Sequence, residues 1–314
     1  MNNVEKYIEF CKKESDIPLF SQPWWLDAVC GQDNWSVALV EKGGIILASM
    51  PYFMEKKYGL KFLKHPKLTP TLGIYLKYTA NQQYDKKLSY EKEMSQQIIN
   101  QLPKFDKFSY SFNSSIKNFL PFYWNGFKLN LKYTYVIEDL SNLDNVFNNF
   151  SSSAKKNIKK ANKNGIKVVD SLDIKSFYNI NKITFNQQNI KIPYSFEFLE
   201  KLFNTLVKNN SCIMKFAIGE ENKIYSVMLG VYDNDKLYML LGSSDRTIQT
   251  YGAEYLLYWE MMKFASMHHL KFDFEGSMIE GVERRNRSFG AVQESYINVE
   301  KVNSKIIQFK EMLK

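Results

Sequence analysis

The residues with the clearest chemical potential lie late in the chain, in LKFDFEGSMIEGVERRNRSFGA. Alternation places Asp273 and Glu275 on the face opposite Phe272 and Phe274, so two carboxyls emerge together at a strand end that turns at Gly276. A pair of this kind holds an attacking amine or takes its proton, especially when one carboxyl raises the pKa of the other. Arg284, Arg285 and Arg287 follow within reach, able to stabilise an oxyanion or clamp a phosphate. The alternative is a cluster of structural ion pairs. A second feature is SSSAKKNIKKANKNG: serines at 151–153 offer an N-cap and Gly165 a stop, with Lys155, Lys159 and Lys163 on one face and Lys156 and Lys160 beside them. No acid occurs between Asp144 and Asp170. Stacked like charges cost helix stability, which points either to a phosphate-bearing partner or to a solvated face. A third is RTIQTYGAE, which runs from Arg246 to Glu254 and includes Gln249, Gly252 and Ala253. It lies between a strand and a long helix, where free N–H groups and a partial positive charge suit a pyrophosphate, or where an ordinary loop simply starts a helix.

Other chemistries lack their residues. Cys11, Cys30 and Cys212 are scattered and odd in number, so neither a disulfide framework nor a zinc site is indicated. The histidines are His65, His268 and His269, and an adjacent pair cannot present two ligands on one helix face; no metal site is expected. There is no GxSxG, no P-loop and no credible Cys-His or Ser-His-Asp order, so covalent nucleophilic catalysis is disfavoured.

The elements that must position these groups read as a repeated α/β unit. In WSVALVEKGGIILASMPYF two apolar runs flank Lys42, Gly43 and Gly44, a hairpin signal. MKFAIGEENKIYSVMLGVY lines up with it without gaps, Ala38 on Ala217, Glu41 on Glu220 and Ile45 on Ile224, with the turn glycines on Asn222 and Lys223. Either one fold is duplicated or two hairpins resemble each other by chance. After each hairpin come a strand, a helix and a strand: LTPTLGIYLKY, YEKEMSQQIINQL and KFDKFSYSFN, then KLYMLLGSS, GAEYLLYWEMMKFASM and LKFDFEGS. Phe108, Tyr110 and Phe112 alternate, as do Phe272 and Phe274, and each crossover helix should make its flanking strands parallel. The fold class is therefore α/β: two tandem domains, residues 1–140, with 301–314 packed on them, and residues 141–300, each a mixed β-sheet flanked by helices.

The chain has 314 residues, 45% hydrophobic and 15% aromatic, with 42 Lys plus Arg against 33 Asp plus Glu, a net charge of +9. It is folded and basic, and charge by itself does not rank nucleic acid, nucleotide phosphates, coenzyme A or an anionic membrane surface. The N-terminus carries acids and no apolar signal core, and no apolar run reaches the ~18 residues of a spanning helix.

PLFSQPWWLDAV, AKKNIKKANKNGIKV and FDFEGS followed by RSFGA, in that order, resemble the Fem-type, FemAB-like branch of the GNAT acyltransferase superfamily over roughly residues 18–300. The resemblance implies tandem GNAT domains that add aminoacyl groups to peptidoglycan precursors, the first on the acceptor side and the second on the acyl-transfer side. It places Gln22 and Trp25 near the acceptor cleft, Lys155, Lys156 and Lys159 on the family's basic helix, Asp273 on its acidic strand, and Phe289 with Gly290 at its terminal Phe-Gly. The bridge-forming enzymes carry a lysine three residues before that phenylalanine. This chain has Asn286 there, with Arg285 or Arg287 as the substitute. Gln249 and Gly252 resemble the superfamily's [QR]-x-x-G-x-[GA] donor motif, although Glu254 replaces its final small residue.

The resulting expectation is an N-acyltransferase in which an amine of a cell-envelope or sugar-nucleotide precursor attacks the acyl carbonyl directly. No cofactor is bound, and the acyl donor, aminoacyl-tRNA or acyl-CoA, is a co-substrate. Two alternatives stand: an acyl-CoA-dependent GNAT acetylating another small amine, and a non-catalytic protein that binds RNA or an anionic glycan precursor. Expected partners are an anionic small-molecule or lipid-linked acceptor, with tRNA as a candidate and DNA not. The expected location is the cytoplasm, within reach of the inner face of the membrane.

Overall fold

Asn2 and Glu5 start the first helix reciprocally, each side chain accepting from the other's backbone N–H. A computed structural model describes residues 1–312, and the chain folds in it as two units: Met1–Lys132 joined by the segment from Ser295 onward, and Tyr133–Glu294. The unit limits fall at 132/133 and 294/295, where the sequence pattern suggests 140/141 and 300/301.

The first unit runs α1 (Asn3–Cys11), α2 (Pro23–Cys30), β1 (Trp35–Lys42), β2 (Ile45–Lys57), β3 (Leu60–Lys64), β4 (Tyr75–Leu76), α3 (Tyr84–Gln101), β5 (Lys107–Ser111) and α4 (Leu120–Trp124), and the chain leaves it within β6 (Lys128–Ile137). The hairpin β1–β2 closes through Gly43 and Gly44, whose φ angles of 59° and 78° a β-carbon would resist. β2 then pairs antiparallel with β3, and β3 runs parallel to β5. The parallel partner across the crossover helix is thus LKFLK rather than the segment LTPTLGIYLKY, of which only β4 is strand, set against β2. Phe108, Tyr110 and Phe112 all point into the core, as their alternation requires.

The second unit continues with α5 (Leu143–Asn148), α6 (Ser152–Lys163), β7 (Lys167–Asp170), α7 (Ile174–Gln187), α8 (Phe196–Lys208), β8 (Cys212–Ile218), β9 (Ile224–Tyr232), β10 (Lys236–Ser244), α9 (Ala253–Met267), β11 (Lys271–Asp273) and α10 (Glu280–Arg287). Its strands lie in the order β6-β11-β10-β9-β8-β7. β10 and β11 run parallel, Leu237 opposite Phe272 and Tyr238 opposite Asp273, as the α9 crossover predicts. The second hairpin also forms, but Ile218 pairs with Ile224 across a five-residue loop closed by the Gly219 N–H to the Lys223 carbonyl. The ungapped repeat therefore matches the strands and not the turns. α9 carries much of this core: Leu257, Met261, Met262 and Ala265 are fully buried with Phe272. Truncating one such leucine to alanine costs about 2–5 kcal/mol. Finally β12 (Val292–Val302) returns the chain, Asn298–Val302 pairing antiparallel with β5, and α11 (Lys305–Met312) follows. Each unit is thus a mixed sheet flanked by helices. No helix among the described residues is long and apolar enough to cross a membrane.

Candidate active site

β11 ends at Asp273, and the chain turns through Glu275 and Gly276 with φ angles of 60° and 55°. A β-carbon on Gly276 would stand 2.2 Å from the Tyr133 carbonyl oxygen, so this turn requires glycine. Glu275 has a β-carbon and still adopts the left-handed conformation, a local strain of the kind that accumulates at functional sites. Asp273 is 6% exposed, and its Oδ1 accepts from Thr134 Oγ1 at 2.5 Å and from the Glu275 N–H at 2.9 Å. Its Oδ2 lies 3.8 Å from Lys236 Nζ, which also lies 3.6 Å from Glu294 Oε2.

Burial pushes the Asp273 carboxyl above the usual carboxylate range, against the pull of Thr134 and Lys236. Glu275 is pushed up much further, first by burial and then by the Asp273 charge. The two acids therefore do share one neighbourhood, centred on a lysine that no sequence motif marks. Lys236 is 9% exposed, and it opens the strand KLYMLLGSS on the same face as Tyr238, the residue opposite Asp273. Only that register reveals it: read along the chain it is one lysine among many.

The arginines are committed elsewhere. Arg285 Nη1 donates to Glu254 Oε1 at 2.5 Å, while Nε and Nη2 fork onto Asn286 Oδ1 at 3.2 and 3.1 Å. The guanidinium also lies 4.9 Å over the Tyr258 ring. Two departures from the family patterns, Glu254 and Asn286, thus meet at one side chain, and Asn286 is fully buried with its Nδ2 unpartnered. Arg287 Nε bonds Glu283 Oε1 at 2.9 Å on an exposed face, and Glu283 accepts from Tyr135 OH at 3.0 Å. Among the described residues no hydrogen bond or ion pair links Arg285 or Arg287 to Asp273 or Glu275.

α6 forms with the caps its sequence announces: Ser151 Oγ accepts from the Ala154 N–H, and Gly165 follows the C-cap with φ 69°. Ala154, Ile158 and Ala161 bury one side, leaving Lys156, Lys159, Lys160 and Lys163 exposed. Lys155 Nζ caps the carbonyl of Asn148 at 2.8 Å. No ion pair holds any of these lysines among the described residues.

At the start of α9, Gly252 has φ 89° and a β-carbon there would lie 2.4 Å from the Asn157 carbonyl oxygen of α6. The adjoining Ala253 is fully buried, with its N–H bonded to the Thr250 carbonyl, and Gln249 is exposed. This glycine admits a helix. Phe289 is 1% exposed and enclosed by Phe150, Tyr255, Tyr258 and Phe274, and Gly290 (φ 72°) fits where a β-carbon would meet the Asn149 carbonyl oxygen at 2.9 Å. In the first unit Trp25 is fully buried, its Nε1 donating to Thr69 Oγ1 at 3.0 Å, and Gln22 Nε2 donates to the Ile17 carbonyl at 2.9 Å.

Residues 148–280 match the family described as an Acetyltransferase (GNAT) domain. No curated protein matches the chain. Among solved structures, FemX is similar with a TM-score of 0.67 at 14% identity, over 95% of this chain and 96% of that one. The C-terminal domain of a putative lysylphosphatidylglycerol synthetase from Agrobacterium fabrum gives 0.59 at 10% identity, over 99% and 95%. A tandem GNAT protein from the clavulanic acid biosynthesis pathway gives 0.51 at 8% identity, over 96% and 95%. These likenesses are of fold. Residues 148–280 thus match a GNAT-domain family model, and the whole chain is similar in fold to FemX and to a tandem GNAT protein.

Proposed function

We propose that this protein transfers an aminoacyl group to an amine of a cell-envelope precursor, with the end of β11 as the reaction centre. The observation that carries this reading is the group formed by buried Asp273 and Lys236 with half-buried Glu275 in the segment that matches the GNAT domain. The amine attacks the acyl carbonyl directly, a reaction that needs positioning and charge stabilisation more than a nucleophilic side chain. The envelope acceptor is supported by the fold shared with FemX and with a putative lysylphosphatidylglycerol synthetase.

For the donor, aminoacyl-tRNA is favoured over acyl-CoA. The first turn of α9, where a coenzyme pyrophosphate would sit, has Gly252 packed on Asn157 and the Ala253 N–H already bonded. The lysines of α6, by contrast, are free of acids and suit a polyphosphate backbone. Gln22 and Trp25 are read as supports of the acceptor side, and Phe289 and Gly290 as packing that fixes α10 behind the reaction centre. The protein works in the cytoplasm, in reach of lipid-linked acceptors at the inner face of the membrane.

Thermal stabilisation against acetyl-coenzyme A, a charged tRNA and UDP-linked amino sugars tests this assignment. A ligand at ~100 times its Kd adds about 2.7 kcal/mol to the folded state. Stabilisation by charged tRNA and a UDP-amino sugar is expected. Stabilisation by acetyl-coenzyme A alone would move the reading to a coenzyme-dependent GNAT enzyme.

A further inference from the structure

No acid occurs between Asp106 and Glu138, whereas Lys107, Lys117, Lys128 and Lys132 all fall in that stretch. At its middle, α4 turns two residues inward and three outward. Pro121 and Phe122 are buried, with the Phe122 ring edge-on to Phe112 and Phe127 at 5.0 and 5.5 Å. Leu120, Tyr123 and Trp124 are 52%, 63% and 57% exposed, and their i, i+3, i+4 spacing sets them side by side. Asn125 fixes the turn that follows, its Nδ2 donating to the Pro121 carbonyl at 2.7 Å and to Gln96 Oε1 at 2.8 Å. Three large apolar side chains are thus held in water on an anchored base.

The patch continues on both sides of α4. Along α3 the row Tyr84, Leu88, Lys92 and Gln96 has i, i+4 spacing; Gln96 bonds Asn125, Lys92 Nζ lies 5.2 Å over the Trp124 ring, and beyond them Tyr84 and Leu88 are exposed. On the other side a groove lined by Gly126, Lys128, Lys301 and Met312 leads from the end of α4 to α11. Lys107 ties α11 to β5 through Glu311 at 2.7 Å, yet α11 has no buried residue, and Ile306, Phe309 and Met312 stand exposed on it. All of these residues belong to the first unit. Single exposed apolar side chains are ordinary, but a run of them across three adjoining elements marks an interaction surface.

Its free charge is positive. Lys92, Lys117, Lys128, Lys301, Lys305 and Lys310 lie on or beside these elements, and no ion pair holds any of them among the described residues. Lys301 Nζ instead bonds the Asn125 carbonyl at 2.6 Å. The acids nearby are occupied: Glu300 accepts from Ser109 and Asn130, Glu311 pairs with Lys107, Glu93 accepts from Gln97, and Asp85 sits in the first turn of α3, where the helix dipole favours a carboxylate. We propose that this face docks the protein on a membrane surface carrying anionic lipid, with Trp124 and its neighbours in the headgroup layer and the lysines against lipid phosphate. It rests on the reading of a lipid-linked acceptor above and names the surface that brings the first unit to it. Trp and Tyr favour the headgroup level, and lysines are drawn to an anionic leaflet. A nucleic acid would meet the lysines and leave Leu120, Ile306 and Met312 in water, whereas a bilayer takes both.

Co-sedimentation of the full chain with phosphatidylcholine vesicles, with and without about one third phosphatidylglycerol, tests the docking face. Binding to the mixed vesicles, weakened by salt, is expected, together with a blue shift of tryptophan fluorescence. Trp124 is the one exposed tryptophan among the described residues, so Trp124→Phe should remove the shift and keep the binding. Tyr123→Ser with Trp124→Ser should lower the vesicle affinity at least about tenfold. Lys92→Gln with Lys117→Gln should lower it about 25-fold on the mixed vesicles, about fivefold for each lysine. These side chains are exposed, and unchanged thermal melting of each variant checks that the fold is intact.

Absence of binding to the mixed vesicles overturns the proposal, and so does binding that survives the double change at Tyr123 and Trp124. A concentration-dependent dimer that the same double change abolishes, without vesicle binding, would make this face a contact between two copies of the chain and also overturn it. Vesicle binding needs neither donor nor acceptor, so the two readings fail separately. A chain that transfers to a soluble UDP-amino sugar but binds no vesicle removes the docking face alone. A chain that binds the vesicles through Trp124 but forms no product removes the transfer reading alone.

Discussion

Replacing Gly252 by alanine separates the two meanings of the stretch before α9, helix packing and donor binding. Two costs add. The residue sits at φ 89°, where an alanine is strained by about 1–2 kcal/mol. Its β-carbon would also lie 2.4 Å from the Asn157 oxygen and 2.9 Å from the Asn157 carbonyl carbon, backbone atoms that cannot swing aside. Overpacking of that sort adds about 1–3 kcal/mol. The sum is about 2–5 kcal/mol, and a value of about 3 kcal/mol would lower the melting temperature of a unit of this size by roughly 6–12 °C. Gly165 is the internal control: its φ is 69°, but nothing lies within 4 Å of its β-carbon position, so Gly165→Ala bears only the first cost. Urea unfolding of the two variants, with unchanged m-values, reads the difference directly. Equal destabilisation by the two substitutions would refute the claim that α6 rests on this glycine.

Lys155→Glu with Lys159→Glu should weaken charged-tRNA binding and flatten its salt dependence, by about 0.7 in log–log slope for each single-strand phosphate that a lysine no longer neutralises; an unaltered slope would leave α6 a solvated face. Arg285→Lys keeps the charge but loses the fork onto Asn286 and the stacking on Tyr258, and should cost about 1–3 kcal/mol in urea unfolding; an unchanged midpoint would mean the fork contributes nothing. His65 accepts from the Ser111 N–H, and burial lowers its pKa from 6.5 to about 3. A depressed histidine binds fewer protons when folded, so stability is lost as pH falls from about 6.5 toward 3, by at most about 5 kcal/mol. His65→Gln should lack that component, and an identical acid limb would contradict it.

What was legible in the sequence followed local rules. The caps of α6, the glycine hairpin of β1 and β2, and the alternation of Phe108, Tyr110 and Phe112 each depend on neighbours within a few residues. β3 was not legible because LKFLK is short and carries lysines at two of its five positions, yet it supplies the parallel partner of β5. In the site, Asp273 and Glu275 stood out as a spaced pair. Lys236, Glu294 and Thr134 did not, because only the pairing of β6, β10 and β11, together with the return of the chain in β12, brings them to Asp273. The link between Glu254 and Arg285 was hidden for the same reason: the two side chains lie far apart in the chain and pair only in space. Phe289 shows the converse, a motif position whose ring packs the core.

The β11 acid pair is the proposed place of acyl transfer. The direct test is product formation from charged tRNA and a UDP-amino sugar by the wild-type chain and by Asp273→Asn with Glu275→Ala, both checked for intact folding. A loss of at least ~10²-fold with ligand stabilisation retained is the predicted result. Undiminished transfer by the folded double variant would contradict it.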